Sequence, residues 1–143
     1  MTLWRWALVG LAVLLVRVDA QASKGENLDG TWKPVEVELA GTKFPEAVYA
    51  TWRLELAKGK YVLKGAESPD TGTVTTDPST KPKSMDVTGT EGPNKGKTYP
   101  CIYDLDGDTL RICYDLSGKK RPAEFKTMKE TKLYLVTYKR EKQ

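Results

Sequence analysis

The stretch "TYPCIYDLDGDTLRICYDL", residues 98–116, contains two runs of alternating apolar and polar side chains joined by an Asp-Gly step. Alternation with a period of two is typical of a half-buried β-strand, and Asp-Gly between two such runs is a strong signal for a β-hairpin. Residues 98–105 and 109–116 are therefore predicted to pair as antiparallel strands.

The same period recurs along most of the chain. Short loops separate six further candidate strands, at residues 35–39, 52–56, 61–65, 72–76, 84–88 and 132–140. One short helix is predicted at residues 44–50, where Pro45 suits a first helical turn. An open sheet would leave unpaired edges, which closure into a barrel removes. The sequence thus predicts an all-β fold, an antiparallel eight-stranded up-and-down barrel with one short helix.

Two segments depart from this pattern. Residues 67–83 are polar and rich in proline, so a strand within them is expected to be exposed or at an edge. In the first strand, Trp32 and Pro34 alternate onto one face and Val35 onto the other, which predicts a bulge or bend near Pro34. The residues assigned to the interior are Val35, Val37, Leu39, Trp52, Leu54, Leu56, Leu110, Ile112 and Tyr114.

The first 22 residues have the composition of an export signal. Arg5 precedes the apolar run "ALVGLAVLLV", and small residues near Ala20 and Ala22 suit a signal peptidase. The run is about half the length that a membrane-spanning helix needs. We therefore predict a cleaved signal peptide at 1–22, a single barrel domain at 23–143, a secreted or periplasmic location and no stable membrane anchor after cleavage.

The start of the first strand resembles a known signature. Gly30-Thr31-Trp32 is similar to the G-x-W motif of the lipocalin and calycin barrels. The resemblance implies that Trp32 plugs one end of the barrel and that a basic residue of the last strand lies across its ring. Arg140 is the first choice for this residue and Lys139 the second. Gly30 would let the backbone pass close by.

Four ordered segments extend the resemblance over residues 28–142. "LDGTWK", "TEGPNKGKTY", "IYDLDGDTLRICY" and "GKKRPAEF" resemble an uncharacterised lipocalin-like domain that recurs in planctomycete bacteria. The resemblance implies an exported, lipocalin-like barrel and carries no assigned reaction or ligand. Pro34 departs from the plain strand residue expected at its position.

The residue types argue against catalysis and against a bound metal. The chain has no histidine, which removes the usual activating base for a serine or cysteine nucleophile and the commonest zinc ligand. "TEGPNKGKT" lacks the first glycine of a phosphate-binding loop, and "DLDGDT" has its glycine in the wrong place for a calcium loop. Both are predicted to be turns. We expect a protein that is not an enzyme and has no cofactor.

Cys101 and Cys113 lie on the two strands of the predicted hairpin, and their state depends on its register. A three-residue loop would place the two sulfurs opposite each other, and an exported protein permits a disulfide. Loops of two or four residues would put them on opposite faces. The apolar pattern favours the latter, because Tyr103 and Leu105 then share a face with Leu110 and Ile112.

Two functions are compatible with such a barrel. The first is binding of a small apolar molecule in the barrel mouth, with Trp52, Leu54, Tyr61 and Tyr103 as lining residues. The second is a packed interaction module of the cell envelope, which would bind another protein through its loops or its basic C-terminal face. Residues 117–143 carry nine Lys and Arg against three Glu. Nucleic acid is not an expected partner.

Overall fold

A computed structural model describes residues 26–142, which form nine strands and one short helix. In chain order these are β1 Gly30–Leu39, β2 Thr42–Lys43, α1 Glu46–Tyr49, β3 Arg53–Ala57, β4 Lys60–Lys64, β5 Asp70–Asp77, β6 Lys83–Glu91, β7 Thr98–Asp106, β8 Thr109–Asp115 and β9 Leu133–Arg140. The predicted signal peptide lies outside the described residues. Between residues 26 and 142, no helix is long and apolar enough to cross a membrane.

The strands close into a barrel. Each strand from β3 to β8 pairs antiparallel with the next strand in the chain, and β1 pairs with both β3 and β9. β2 is an extra two-residue strand on the end of β1. Closure leaves no long unpaired edge among the eight barrel strands, which is the physical reason to prefer it over an open sheet. The prediction of an all-β, eight-stranded up-and-down barrel with one short helix is confirmed.

The polar segment at residues 67–83 contains β5, which lies between β4 and β6. It is therefore not an edge strand. Its outward-facing side chains, such as Thr73 and Thr75, are exposed, whereas Gly72 on the inner face is buried. The polar composition thus reflects the solvated outer face of a strand that is paired on both sides.

A bulge in β1 resolves the conflict around Pro34. Pro34 pairs with Tyr138 and Glu36 pairs with Thr137, so Val35 has no partner in the ladder. The extra residue shifts the alternation, and Trp32, Pro34 and Val37 are all buried. Val35 is 42% exposed, so its assignment to the interior is wrong. Its carbonyl group accepts a hydrogen bond from the hydroxyl of Tyr49 in α1 (3.2 Å).

Trp32 closes one end of the barrel, here called the Trp32 end. Its side chain is fully buried, and its indole N–H donates to the carbonyl of Leu28 (2.9 Å). The guanidinium of Arg140 lies 4.3 Å from the centre of the indole ring. Arg140 also donates to the carbonyl groups of Asn27 and Asp29. The structure thus brings together the tryptophan and the first-choice arginine that the resemblance paired.

Gly30 makes room for that arginine. It has a φ of +141°, and a Cβ at this position would lie 3.0 Å from Nη1 of Arg140. Any larger residue would therefore combine an unfavourable backbone conformation with a contact that pushes the guanidinium away. This is the physical reason for a glycine two residues before the buried tryptophan.

The β7–β8 hairpin has a two-residue loop. Asp106 pairs with Thr109, and Gly107 has a φ of +57°, at the position where a type II′ turn places glycine. Cys101 consequently pairs with Tyr114 on the inner face, whereas Cys113 lies on the outer face. Both thiols are free and buried. The observed register is one that the apolar pattern favoured, and the register that would permit a disulfide is not observed.

The two thiols are expected to be unreactive in the folded protein. Burial raises the pKa of Cys101 well above its ordinary value and that of Cys113 to about 11, so almost no reactive thiolate forms at neutral pH. Intact-mass spectrometry without reductant should show two thiols, which iodoacetamide modifies rapidly only in urea. A mass lower by two hydrogens would contradict this register.

Candidate functional site

The half of the barrel interior that lies away from Trp32 contains a cavity. It lies towards the end that carries the β6–β7 loop with Asn94, here called the Asn94 end, and it encloses about 100 Å³. All eight barrel strands contribute lining residues, so this space is the inside of the barrel and not a surface groove. Aliphatic side chains line part of it. Six aromatic residues line the rest: Trp52, Tyr61, Tyr99, Tyr114, Tyr134 and Tyr138.

The tyrosines on one wall form a neutral cluster. The rings of Tyr114 and Tyr134 are 5.3 Å apart, and the hydroxyls of Tyr114 and Tyr138 are hydrogen-bonded at 3.1 Å. Burial raises the pKa of all three phenols well above the ordinary value. These hydroxyls therefore stay protonated and offer hydrogen bonds and aromatic faces without a formal charge.

The opposite wall carries a buried carboxyl group. Asp70 is 8% exposed, and its Oδ2 accepts hydrogen bonds from the Tyr61 hydroxyl (3.2 Å) and from the Asn94 side-chain amide (2.7 Å). The Asn94 carbonyl oxygen in turn accepts from the Tyr99 hydroxyl (2.7 Å). Four polar side chains from β4, β5, β7 and the β6–β7 loop thus form one network at the cavity wall.

The network leaves one acceptor without a donor. Oδ1 of Asp70 is buried and makes no hydrogen bond. Asp70 is the one charged residue among those that line the cavity, and none of the ion pairs within residues 26–142 involves it. A buried acceptor without a donor costs free energy, so this atom is a place where a ligand could supply what the fold does not.

Glycines shape the loop that carries Asn94. A Cβ on Gly89 would lie 2.0 Å from the Asn94 carbonyl oxygen, and a Cβ on Gly92 would lie 2.5 Å from that of Pro69. Backbone hydrogen bonds from Gly89 to Lys97 and from Gly96 to Gly89 hold the loop against β6. The "TEGPNKGKT" segment is therefore a turn, as predicted. It places the Asn94 side-chain amide within hydrogen-bond distance of Asp70 (2.7 Å).

Neither protein-family models, nor curated proteins, nor solved structures give a match to this chain.

The predicted lining residues separate into two groups. Trp52, Leu54 and Tyr61 line the cavity, but Tyr103 does not. Tyr103 faces the interior nearer the Trp32 end, where it is 1% exposed and its hydroxyl donates to Glu26 (3.0 Å). The correction arises because strand alternation gives the face of a residue but not its depth in the barrel.

Sequence reasoning missed Asp70, Asn94 and Tyr99. Asp70 lay in the polar, proline-rich segment whose strand was expected to be exposed or at an edge, and Asn94 lay in a predicted turn. Between residues 26 and 142 there is no group of three or more His, Cys, Asp or Glu that could hold a metal ion. In the "DLDGDT" segment, Asp104 pairs with Arg111 and Asp108 with Arg140.

The basic segment between β8 and β9 is attached to the outside of the barrel. Arg121 donates to the backbone carbonyls of Met85 (2.9 Å) and Cys101 (2.8 Å) and pairs with Asp86 (2.7 Å). The thiol of Cys113 lies 3.7 Å from the carbonyl of Lys126. This segment therefore covers part of the outer face, which explains how Cys113 is buried although it points away from the interior.

Proposed function

We propose that this protein is a lipocalin-like binding protein that holds one small molecule in the cavity at the Asn94 end. The observation that carries the proposal is a cavity inside a closed barrel, lined by six aromatic side chains and one incompletely hydrogen-bonded carboxyl group. Small-molecule sites are typically concave and mostly apolar, with a few polar groups that orient the ligand. The interior at the Asn94 end has this composition.

The volume limits the ligand. A cavity of about 100 Å³ is smaller than the roughly 300–1,000 Å³ of sites for drug-sized molecules. An apolar cavity of about 150 Å³ accommodates benzene. The proposed ligand is therefore no larger than benzene, a small ring or a short branched chain, and not a long lipid.

We also propose that the protein is exported and that it belongs to the lipocalin-like family found in planctomycete bacteria. The apolar N-terminal run supports export, and the four quoted segments support the family. The barrel and the Trp32–Arg140 pair are compatible with both proposals. The chain has no histidine, and between residues 26 and 142 no group of three or more His, Cys, Asp or Glu could hold a metal ion, so we propose binding without catalysis.

One observation favours the second candidate, an envelope module that binds a protein partner. The Trp32 end is filled by large side chains, including Trp32, Tyr103 and Leu110, each at most 1% exposed. If the remaining cavity only accommodates water, the barrel is a rigid support for its loops and for the basic segment on its outer face.

Native mass spectrometry and thermal unfolding with a panel of small ring compounds test the first candidate. We expect an adduct on protein purified from its own host, or a higher melting temperature with a panel member. Ligand at 100 times its Kd would add about 2.7 kcal/mol to the unfolding free energy.

Two Val→Phe variants provide a test of the cavity and its matched control. Val87 lines the cavity, so Val87→Phe should fill it and abolish the adduct. Val62 lies on the outer face between Tyr61 and Leu63, so Val62→Phe should retain binding. Absence of any adduct or shift in the unmodified protein would favour the interaction module.

A further inference from the structure

The cavity at the Asn94 end contains a carboxyl group with no positive partner. Asp70 is 92% buried, as its exposed fraction is 8%, and no Lys or Arg lines the cavity. Buried carboxylates in folded proteins are normally paired with a cation or fully hydrogen-bonded, because desolvation of an isolated charge is costly. Asp70 has two donors on Oδ2 and none on Oδ1.

The second buried aspartate of the barrel shows what complete hydrogen bonding looks like in this protein. Asp115 is 5% exposed and uses both oxygens. Oδ1 accepts from the backbone amide and the hydroxyl of Ser117, and Oδ2 accepts from the amides of Lys119 and Lys120. The incomplete hydrogen bonding of Asp70 is thus a property of its site and not of buried aspartates in this fold.

The neighbours of Asp70 suit a positive charge. Tyr61 and Tyr99 line the same cavity, and the pKa of each phenol is raised by burial and then by the charge of Asp70. Aromatic faces attract cations through their quadrupoles, most strongly where the cation is desolvated. An aromatic cavity with one carboxylate is the arrangement by which proteins recognise small ammonium ions.

We propose that the cavity binds a small organic ammonium ion, with Asp70 as the counter-ion and the surrounding aromatic rings as the walls. This inference rests on the proposed binding function and specifies the chemical class of the ligand. Oδ1 is buried in the present conformation, so a small side-chain rearrangement must accompany binding. Asn94 is half-buried on a surface loop and donates to Oδ2 of Asp70, so it is the neighbour expected to move, at the cost of its hydrogen bonds with Asp70 and Tyr99.

Matched pairs of probes test the charge directly. Isobutylammonium and isobutanol have the same number of heavy atoms and differ in charge, as do propylammonium and 1-propanol. Titration calorimetry on the unmodified protein should give a Kd about 10- to 100-fold lower for the ammonium member of a pair, the range expected for a charge-assisted contact. Isobutyrate, an anion of similar size, should not bind.

Three variants locate the preference. Asp70→Asn keeps the shape and should abolish the preference for the ammonium member. Asp104→Asn removes the same charge from the outer face of the barrel, where Asp104 pairs with Arg111, and should retain it. Asn94→Ala disturbs the network but keeps the carboxylate, so it should also retain the preference. Melting temperatures of all three verify folding.

The outcomes separate this inference from the binding function. Equal affinity for both members of a pair, or an unchanged preference in Asp70→Asn, overturns the assignment of a cation and leaves small-molecule binding intact. If neither member binds and the wider panel also gives no adduct, both the inference and the binding function are wrong.

Discussion

Trp32→Ala should lower the free energy of unfolding by about 3–5 kcal/mol, the largest loss expected from a single substitution in this barrel. The indole is fully buried at the Trp32 end, where its N–H donates to Leu28 and Arg140 covers its face. Removing it leaves a cavity at the point where the N-terminal segment, β1 and β9 meet. It also leaves the Arg140 guanidinium without its aromatic partner.

Urea unfolding followed by circular dichroism measures this loss. Trp52→Ala is the matched control, because Trp52 is only partly buried and lines a cavity that already exists. Its loss should be clearly smaller. A loss below about 1 kcal/mol for Trp32→Ala would show that the indole does not plug the barrel.

Arg140 permits a double-mutant cycle with the same measurement. Arg140→Ala alone should cost about 1–2 kcal/mol, since it removes the contact with the indole and the hydrogen bonds to Asn27 and Asp29. In the Trp32→Ala background the cost should be smaller by the energy of the cation–π contact, about 0.5–2 kcal/mol. Strict additivity would mean that the two side chains do not interact.

Asp115→Asn should produce the second largest effect, a loss of about 2–3 kcal/mol at neutral pH. The carboxylate organises the start of the basic segment by accepting hydrogen bonds from Ser117, Lys119 and Lys120. An asparagine retains the size but replaces one acceptor oxygen with an NH₂ group that faces backbone donors. Asp106→Asn, exposed at the other end of the same hairpin, is the control and should change little.

The pH dependence identifies the cause. Burial raises the pKa of Asp115, but the hydrogen bonds from Ser117, Lys120 and Lys119 outweigh burial and lower it overall. A lowered pKa in the folded state means that the stabilisation is complete above the unfolded value, about 3.9, and is lost as the pH falls through the folded pKa.

The stability difference between the unmodified protein and Asp115→Asn should therefore be largest above about pH 5 and shrink towards pH 2. Urea unfolding at several pH values, at constant ionic strength, measures it. A difference that does not change with pH would assign the effect to packing and not to the charge.

Local pattern was sufficient for most of the architecture. Strand alternation is a property of neighbouring residues, so the eight barrel strands and the β7–β8 hairpin follow from the order of apolar side chains, which disfavoured a three-residue loop and left loops of two and four residues open. Pro34 lacks the N–H that a ladder needs, so the bulge beside it was also predictable. The exact position of the bulge was not predictable, and the prediction that Val35 faces the interior was wrong for that reason.

The chemistry of the cavity depends on contacts between distant parts of the chain. Asp70 and Asn94 are 24 residues apart, and no sequence motif pairs them. Tyr103 shows the same limit. Strand alternation predicted that it faces the interior, but not that it lies nearer the Trp32 end than the cavity. Amino-acid order alone indicated which face of its strand most residues occupy, with Val35 as an exception. The closed barrel decided which inward-facing residues line the cavity and that the Asp70 carboxyl group is buried. Burial depends on every element packed around an atom, so local sequence does not reveal it.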